Sequence, residues 1–171
     1  LEKSNLEQYG KVIFYSYWFY DTALAAIKLR DYFNIKEKSA ISRAHGYDIY
    51  TYRNSMNYLP LREYLLKNIN KVYTCSNNGR DYLNNLYPGY EHKIKTGYLG
   101  SQDNGIKSVD EKHVFHIVSC CHISPVKRMD LLAKSLATLR NSGLELKWTH
   151  FGAGAGLEEL KEYSKENLDF M

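Results

Sequence analysis

No stretch of this sequence stays apolar for the roughly twenty residues a helix needs to cross a bilayer, and no secretory leader is recognisable in it. Cysteine is scarce. Cys75 stands alone and Cys120 and Cys121 are neighbours, an odd set of three that implies no disulfide framework and makes a reducing, cytoplasmic compartment the default. A dominant charge sign is lacking as well: the net charge is only +4, and its excess falls in residues 53–95, around Arg53, Arg62, Lys67, Lys71, Arg80, Lys93 and Lys95. Spread so thinly, it makes no nucleic-acid footprint, so no nucleic acid is expected as partner. A phosphate-bearing ligand or an anionic membrane surface fits better, which allows peripheral contact with the inner face of a membrane. Internal repeats and low-complexity tracts are also missing.

What is present is an ordinary globular composition, 44% apolar and 25% charged, with tyrosine in excess at 16 residues against 6 Phe and 2 Trp. Short runs rich in β-branched and aromatic residues occur at 11–17, 38–44, 70–75, 92–98, 113–121 and 145–151. Helical periodicity falls between several of them, at about 20–33, 59–69, 77–87, 127–141 and 157–167. Such alternation predicts βαβ units and parallel sheets flanked by helices, an α/β class. The segment 99–111 is poor in apolar side chains and carries the turn pair Asn104–Gly105, so a linker is expected near Ser101–Asp110. The chain then reads as domains 1–103 and 104–171.

Three places could carry chemistry. After the strand ending at Phe151 comes Gly152-Ala-Gly154-Ala-Gly156, then a helix; glycines there let backbone approach a phosphate, and the helix N-terminus offers unpaired N–H groups. The sixth position is Leu157, not the third glycine of a dinucleotide fingerprint, which argues against the alternative of an NAD-binding Rossmann module. The segment IVSCCHISPVKR (117–128) runs from a strand through Ser124–Pro125 to Lys127 and Arg128, which are expected to open a helix; two cations there oppose the dipole and suggest an anion partner such as a diphosphate. Finally, Arg43-Ala-His45-Gly46-Tyr47-Asp48 closes a strand, where open α/β sheets bind ligands. No metal is expected: His113, His116, Cys120, Cys121 and His122 match no zinc spacing and cannot converge from one strand. Glu158 and Glu166, eight apart, read as solvated salt-bridging residues.

Taken in order, RAHGYD, VYTCSNNGRDYL, IKTGYLGSQD, VSCCHISPVKRMDLL and WTHFGAGAGLEEL resemble glycosyltransferase family 4, built on the GT-B fold of two Rossmann-like domains. The resemblance covers the chain from about Val12 onward. It implies that residues 1–103 are the C-terminal part of the acceptor-binding domain and 104–171 the N-terminal part of the nucleotide-sugar donor domain, both incomplete. It implies a retaining hexosyltransferase that takes a nucleotide-sugar donor and a saccharide or lipid-linked saccharide acceptor in polysaccharide biosynthesis, without a cofactor. Lys127 matches the lysine that binds the donor diphosphate, and His45 the acceptor-domain histidine that contacts the transferred sugar. Gly152 and Gly154 match the turn close to the nucleotide, and Gly100 the crossover glycine. The family usually places an arginine five residues before the lysine; here that position is His122, and either His122 itself beside the phosphate or Arg128 as a substitute would fill the role. The acceptor-side glycine loop would precede Leu1 and the Glu-x7-Glu pair would follow farther on, so this polypeptide alone is expected to be inactive.

Overall fold

A computed structural model describes residues 5–106, 114–139 and 142–168. The chain divides into two compact units, Leu1–Asp103 and Asn104–Met171. Of the expected linker, residues 107–110 lie outside the described residues, as does His113.

The first unit is built on four parallel strands, β1 (Lys11–Ser16), β2 (Glu37–Ala44), β3 (Lys71–Thr74) and β4 (Ile94–Thr96), paired in the order β1-β2-β3-β4. The connections carry α1 (Asp21–Tyr32), the short α2 (Gly46–Ile49), α3 (Arg62–Asn68) and α4 (Asn77–Leu86). Right-handed crossovers that step one way across a sheet place their helices on one face. Burial follows that rule. Phe14, Ser16, Ala40, Ser42, Ala44, Val72, Thr74 and Ile94 are buried, packed with Ala23, Ile27, Ile49, Leu65, Leu66 and Leu83, whereas Ile13 and Tyr15 of the opposite parity are half-exposed. Small residues in the middle of β2 let the helices settle close. The register pairs Ser16 with Ser42 and Ala44 with Thr74, so the loops after β1, β2 and β3 leave along one carboxyl edge.

The second unit has two parallel strands, β5 (Phe115–Cys120) and β6 (Leu146–Phe151), in register from Phe115–Leu146 to Cys120–Phe151. α5 (Met129–Thr138) and α6 (Leu157–Asn167) close over Ile123, Met129, Ala133, Leu136, Trp148 and Leu168. The expected α/β class with parallel sheets flanked by helices therefore holds. Among the described residues no helix is long and apolar enough to cross a membrane.

Two helix starts differ from expectation for the same reason. α3 begins at Arg62 rather than near 59, and α5 at Met129 rather than 127, because Leu61 (φ 63°) and Arg128 (φ 53°) take the left-handed conformation just before them. A residue so turned cannot continue a right-handed helix backwards. Each follows a proline by one to three positions, which already interrupts the N–H pattern. The short α2 has no periodic signal, being a single turn.

Candidate active site

In the second unit, the chain leaving β5 does not diverge from the chain leaving β6. Cys121 N donates to Phe151 O (3.1 Å) and Ile123 N to Ala153 O (2.9 Å), so residues 121–123 run beside 151–153. The glycines are what make this possible. Gly152 sits at φ 148° and Gly154 at φ 159°; a Cβ would lie 2.0 Å from Cys121 O at the first and 2.1 Å from Ile123 O at the second. Only a residue without a side chain fits either place. The turn then delivers Gly156 to the N-cap of α6, which no side chain caps, with Leu157 N bonded back to Gly154 O (3.1 Å). Such an N-terminus attracts anions, although Glu158 and Glu159 in its first turn already complement part of the dipole.

Facing this turn, Pro125–Lys127 winds one 3-10 turn, with Lys127 N on Ser124 O (2.9 Å) and Arg128 N on Pro125 O (3.2 Å). The expectation that Lys127 and Arg128 open α5 is corrected here. Lys127 closes the preceding turn, and Arg128 is the left-handed N-cap whose carbonyl receives the N–H groups of Leu131 and Leu132. Both side chains are exposed, and among the described residues neither joins an ion pair, whereas Asp130 is held by Lys134 at 3.6 Å. A cavity of about 700 Å³ opens between the start of α5 and the first half of α6, with His122, Arg128, Lys134, Glu159 and Tyr163 on its walls and Met129 and Leu160 among its apolar lining. Lys127 is not among the lining residues. Of the expected donor-side residues, then, His122 and Arg128 share one cavity, Gly152 and Gly154 form the turn laid against residues 121–123, and Lys127 ends the 3-10 turn that precedes Arg128, outside the cavity lining.

In the first unit, His45 follows β2 directly and precedes α2. Its ring lies 4.6 Å from the rings of both Tyr17 and Trp18, which come from the loop after β1. Both imidazole nitrogens are buried, and among the described residues neither has a hydrogen-bond partner. An orphaned buried polar group costs about 1–3 kcal/mol, so this position is not one that stability alone would choose.

The loops around His45 are fixed by two buried charged residues. Asp48, 1% exposed, accepts from His45 N through Oδ1 and from Phe19 N through Oδ2, both at 2.5 Å. Arg62, 3% exposed, donates to Phe19 O (2.8 Å) and to Asp48 O, and its guanidinium carbon lies 4.3 Å from the Phe19 ring centroid. Burial pushes the Asp48 carboxyl above its usual range against those two N–H groups and the nearby Arg62, and burial brings Arg62 down to about 10. The folded protein thus holds the Asp48 proton to higher pH than the unfolded chain does. This contribution to stability is full below the ordinary aspartate value of 3.8 and is lost as pH rises through the folded value. Urea unfolding at a series of pH values should accordingly show Asp48→Asn, which does not titrate, improving relative to the parent as pH climbs through that window. Arg62→Ala should cost about 3 kcal/mol by the same measurement, because it leaves the buried carbonyls of Phe19 and Asp48 without their donor and removes the positive charge near the Asp48 carboxylate.

Sequence reasoning singled out His45, quoted Asp48 only as the end of the same motif and Arg62 only as part of the basic excess, and gave Tyr17 and Trp18 no role. Asp48, three residues after His45 at a strand end, carried a usable signal, since an aspartate there can accept the N–H at the start of a turn. Arg62 carried none: nothing in LPLREYL says that the arginine is the buried member. Gly100 is exposed with open space where a Cβ would stand. Glu158 pairs with Lys161 (2.9 Å), and His116 meets Thr149 Oγ1 (2.9 Å); among the described residues no three His, Cys, Asp or Glu side chains could hold a metal ion.

Both units are thus α/β, with parallel strands whose glycine-rich or polar loops gather at the carboxyl edge, where open α/β sheets bind ligands. Solved structures narrow the likeness. The lipopolysaccharide outer core galactosyltransferase WaaB, in its apo form, superposes with a TM-score of 0.58 at 17% identity, over 94% of this chain and 42% of WaaB. A point mutant of S. aureus TarM, in complex with Fondaparinux, alpha-GlcNAc-glycerol and UDP, superposes with a TM-score of 0.57 at 17% identity, over 80% of this chain and 28% of that one. A second TarM structure gives 0.57 at 19% identity, over 81% and 28%. The chain is thus similar in fold to the galactosyltransferase WaaB and to TarM, and spans less than half the length of each. No protein-family model matches it, and no curated protein matches it significantly.

Proposed function

We propose that this chain is the portion of a retaining glycosyltransferase, of the family 4 type, that holds the diphosphate of a nucleotide-sugar donor in its second unit. The observation that carries the reading is the close laying of the Gly152–Gly154 turn on residues 121–123, the segment that leads in sequence to the exposed cations Lys127 and Arg128, together with a helix N-terminus that no side chain caps. The glycosyltransferase likeness, with UDP bound in one neighbour, supports the same choice.

In this reading Lys127 neutralises the charge that grows on the departing nucleoside diphosphate, the main electrostatic demand of glycosyl transfer. Arg128 takes the part usually played by the arginine at the His122 position, and His122 donates to phosphate from the cavity wall. The donor phosphate receives the acceptor proton as the new glycosidic bond forms and the old one breaks, so no protein nucleophile is required. His45 of the first unit contacts the sugar. The acceptor is a polysaccharide precursor or lipid-linked saccharide. Contact with an anionic membrane is assigned to the exposed cations of the stretch 53–95, Arg53, Lys67 and Lys95, with buried Arg62 taking no part; the same stretch exposes Met56 and Tyr58.

Titration with UDP, GDP, UDP-glucose and NAD tests the reading. Binding of a nucleoside diphosphate or its sugar, with the affinity falling as salt rises, is expected. Binding of NAD in preference to all of them would instead support a nicotinamide module.

A further inference from the structure

We infer that His150, behind the glycine turn, is a positioning residue for the diphosphate. Its Nε2–H is held for the carbonyl of Cys121 and steadies the 121–122 peptide while the His122 N–H, at the other end of that peptide, donates to a phosphate oxygen. The inference rests on the transferase reading for the identity of the ligand.

Three polar atoms form a chain beneath the turn. Trp148 Nε1 lies 2.9 Å from Ser119 Oγ, and Ser119 Oγ lies 2.8 Å from His150 Nδ1, across the register pair Ser119–His150 of β5 and β6. Their roles follow from counting protons. An indole N–H can only donate, so Ser119 Oγ accepts there. The Ser119 proton has no other acceptor among the described residues and goes to Nδ1. A neutral imidazole that accepts at Nδ1 carries its hydrogen on Nε2. The opposite tautomer would leave two sites idle, the Ser119 proton and the Nε2 lone pair, where this one leaves only the Nε2–H. That nitrogen is buried and has no partner among the described residues, a state that folded proteins rarely tolerate without a use for it.

What Nε2 faces is set by Gly152. A Cβ there would stand 3.1 Å from His150 Nε2 and 2.0 Å from Cys121 O, so nitrogen and carbonyl oxygen border the same small space left by the absent side chain. The peptide joining Cys121 to His122 is trans, and its C=O and N–H point in opposite directions. The amides on either side turn toward β6 and the glycine turn, Cys121 N onto Phe151 O and Ile123 N onto Ala153 O. The His122 N–H therefore turns away from that seam. It belongs to an exposed residue and has no backbone partner among the described residues. A peptide that donates through its N–H becomes a stronger acceptor at its carbonyl. A phosphate oxygen on His122 N–H thus strengthens Cys121 O beside the idle Nε2–H. The unpartnered nitrogen is the state of the free protein and the bonded pair that of the liganded one. His150 adds affinity in this way without touching the ligand.

The test uses the intact, isotopically labelled protein with UDP and GDP as probes. Long-range proton–nitrogen spectra should show His150 with its hydrogen on Nε2, and saturating nucleotide should shift that nitrogen together with the His122 amide. Affinity supplies the second arm. His150→Gln keeps an N–H donor near the Nε2 position, His150→Asn replaces only the Nδ1 end, and His150→Phe keeps a flat ring without a donor. The phenylalanine and asparagine variants should bind nucleotide about tenfold more weakly, and the glutamine variant should retain most of the parent's affinity. Urea unfolding of the same samples gives the folded fraction, and the losses should persist after correction for it, which a merely structural role would not produce. Should His150→Phe fail to fold, the comparison of glutamine with asparagine decides. A hydrogen found on Nδ1, parental affinity in His150→Phe, or asparagine binding as tightly as glutamine would overturn the role of His150 while the parent's nucleotide binding still supports the transferase reading. A parent that binds neither UDP nor GDP would overturn both.

Discussion

Lys127→Ala is expected to lower nucleotide-sugar turnover by about 10²–10³-fold, the effect of deleting one charge-assisted contact to a developing anion, or about 3–4 kcal/mol. The loss should fall on kcat, because the charge on the leaving diphosphate is greater in the transition state than in the bound donor. Stability should move by less than about 0.5 kcal/mol, since the side chain is exposed and the turn is held by backbone bonds that alanine retains. Lys127→Arg should recover part of the activity by restoring the charge without the reach of a single ammonium. Assays of the complete enzyme with a radiolabelled or coupled donor measure all three. An alanine variant with parental kcat would remove Lys127 from the chemistry.

The second large effect belongs to Gly154→Ala. The new methyl would stand 2.1 Å from Ile123 O, and φ 159° already leaves the range that L-residues prefer. Neither neighbour is a flexible side chain that could turn away. The contact is to backbone, so the turn and residues 121–123 must separate. We expect a loss of about 3 kcal/mol or more in unfolding experiments, and nucleotide binding weakened well beyond what the stability change explains. Gly143→Ala is the control: its φ is 78° with open space around it, so only the backbone term of about 1–2 kcal/mol applies and nucleotide binding should be retained. If Gly154→Ala bound nucleotide like the parent, the packed turn would have no part in the donor site.

Much of this fold was legible because the chain spells out its periods plainly. KVIFYS, KVYT and LKWTHF are compact β-branched or aromatic runs, and MDLLAKSLAT repeats its apolar positions at helical spacing; each forms the element it suggests. What was not legible lies where one residue departs from its neighbours. Left-handed Leu61 and Arg128 fix where α3 and α5 begin, yet neither is a residue type that announces such a conformation. Arg128 illustrates the functional consequence. Read as part of a helix it is a misplaced cation, whereas as an N-cap outside the helix it is an exposed charge on a cavity wall. The glycine turn was visible as GAGAG, but the reason for its first two glycines was not, because the carbonyls of Cys121 and Ile123 that crowd them belong to a segment roughly thirty residues earlier. His45 was found by its place after a strand. The two aromatic rings that flank it come from the adjacent strand's loop, and only the parallel register of β1 and β2 brings them together.

The central claim is that one edge of the second unit, formed by residues 121–128 and 151–157, receives a nucleoside diphosphate. Hydrogen–deuterium exchange with and without saturating UDP or GDP addresses it most directly. The account predicts slowed exchange in both segments together, through the amides of the glycine turn and of the loop that carries Lys127. A nucleotide that binds while leaving both segments at their unliganded rates would contradict it.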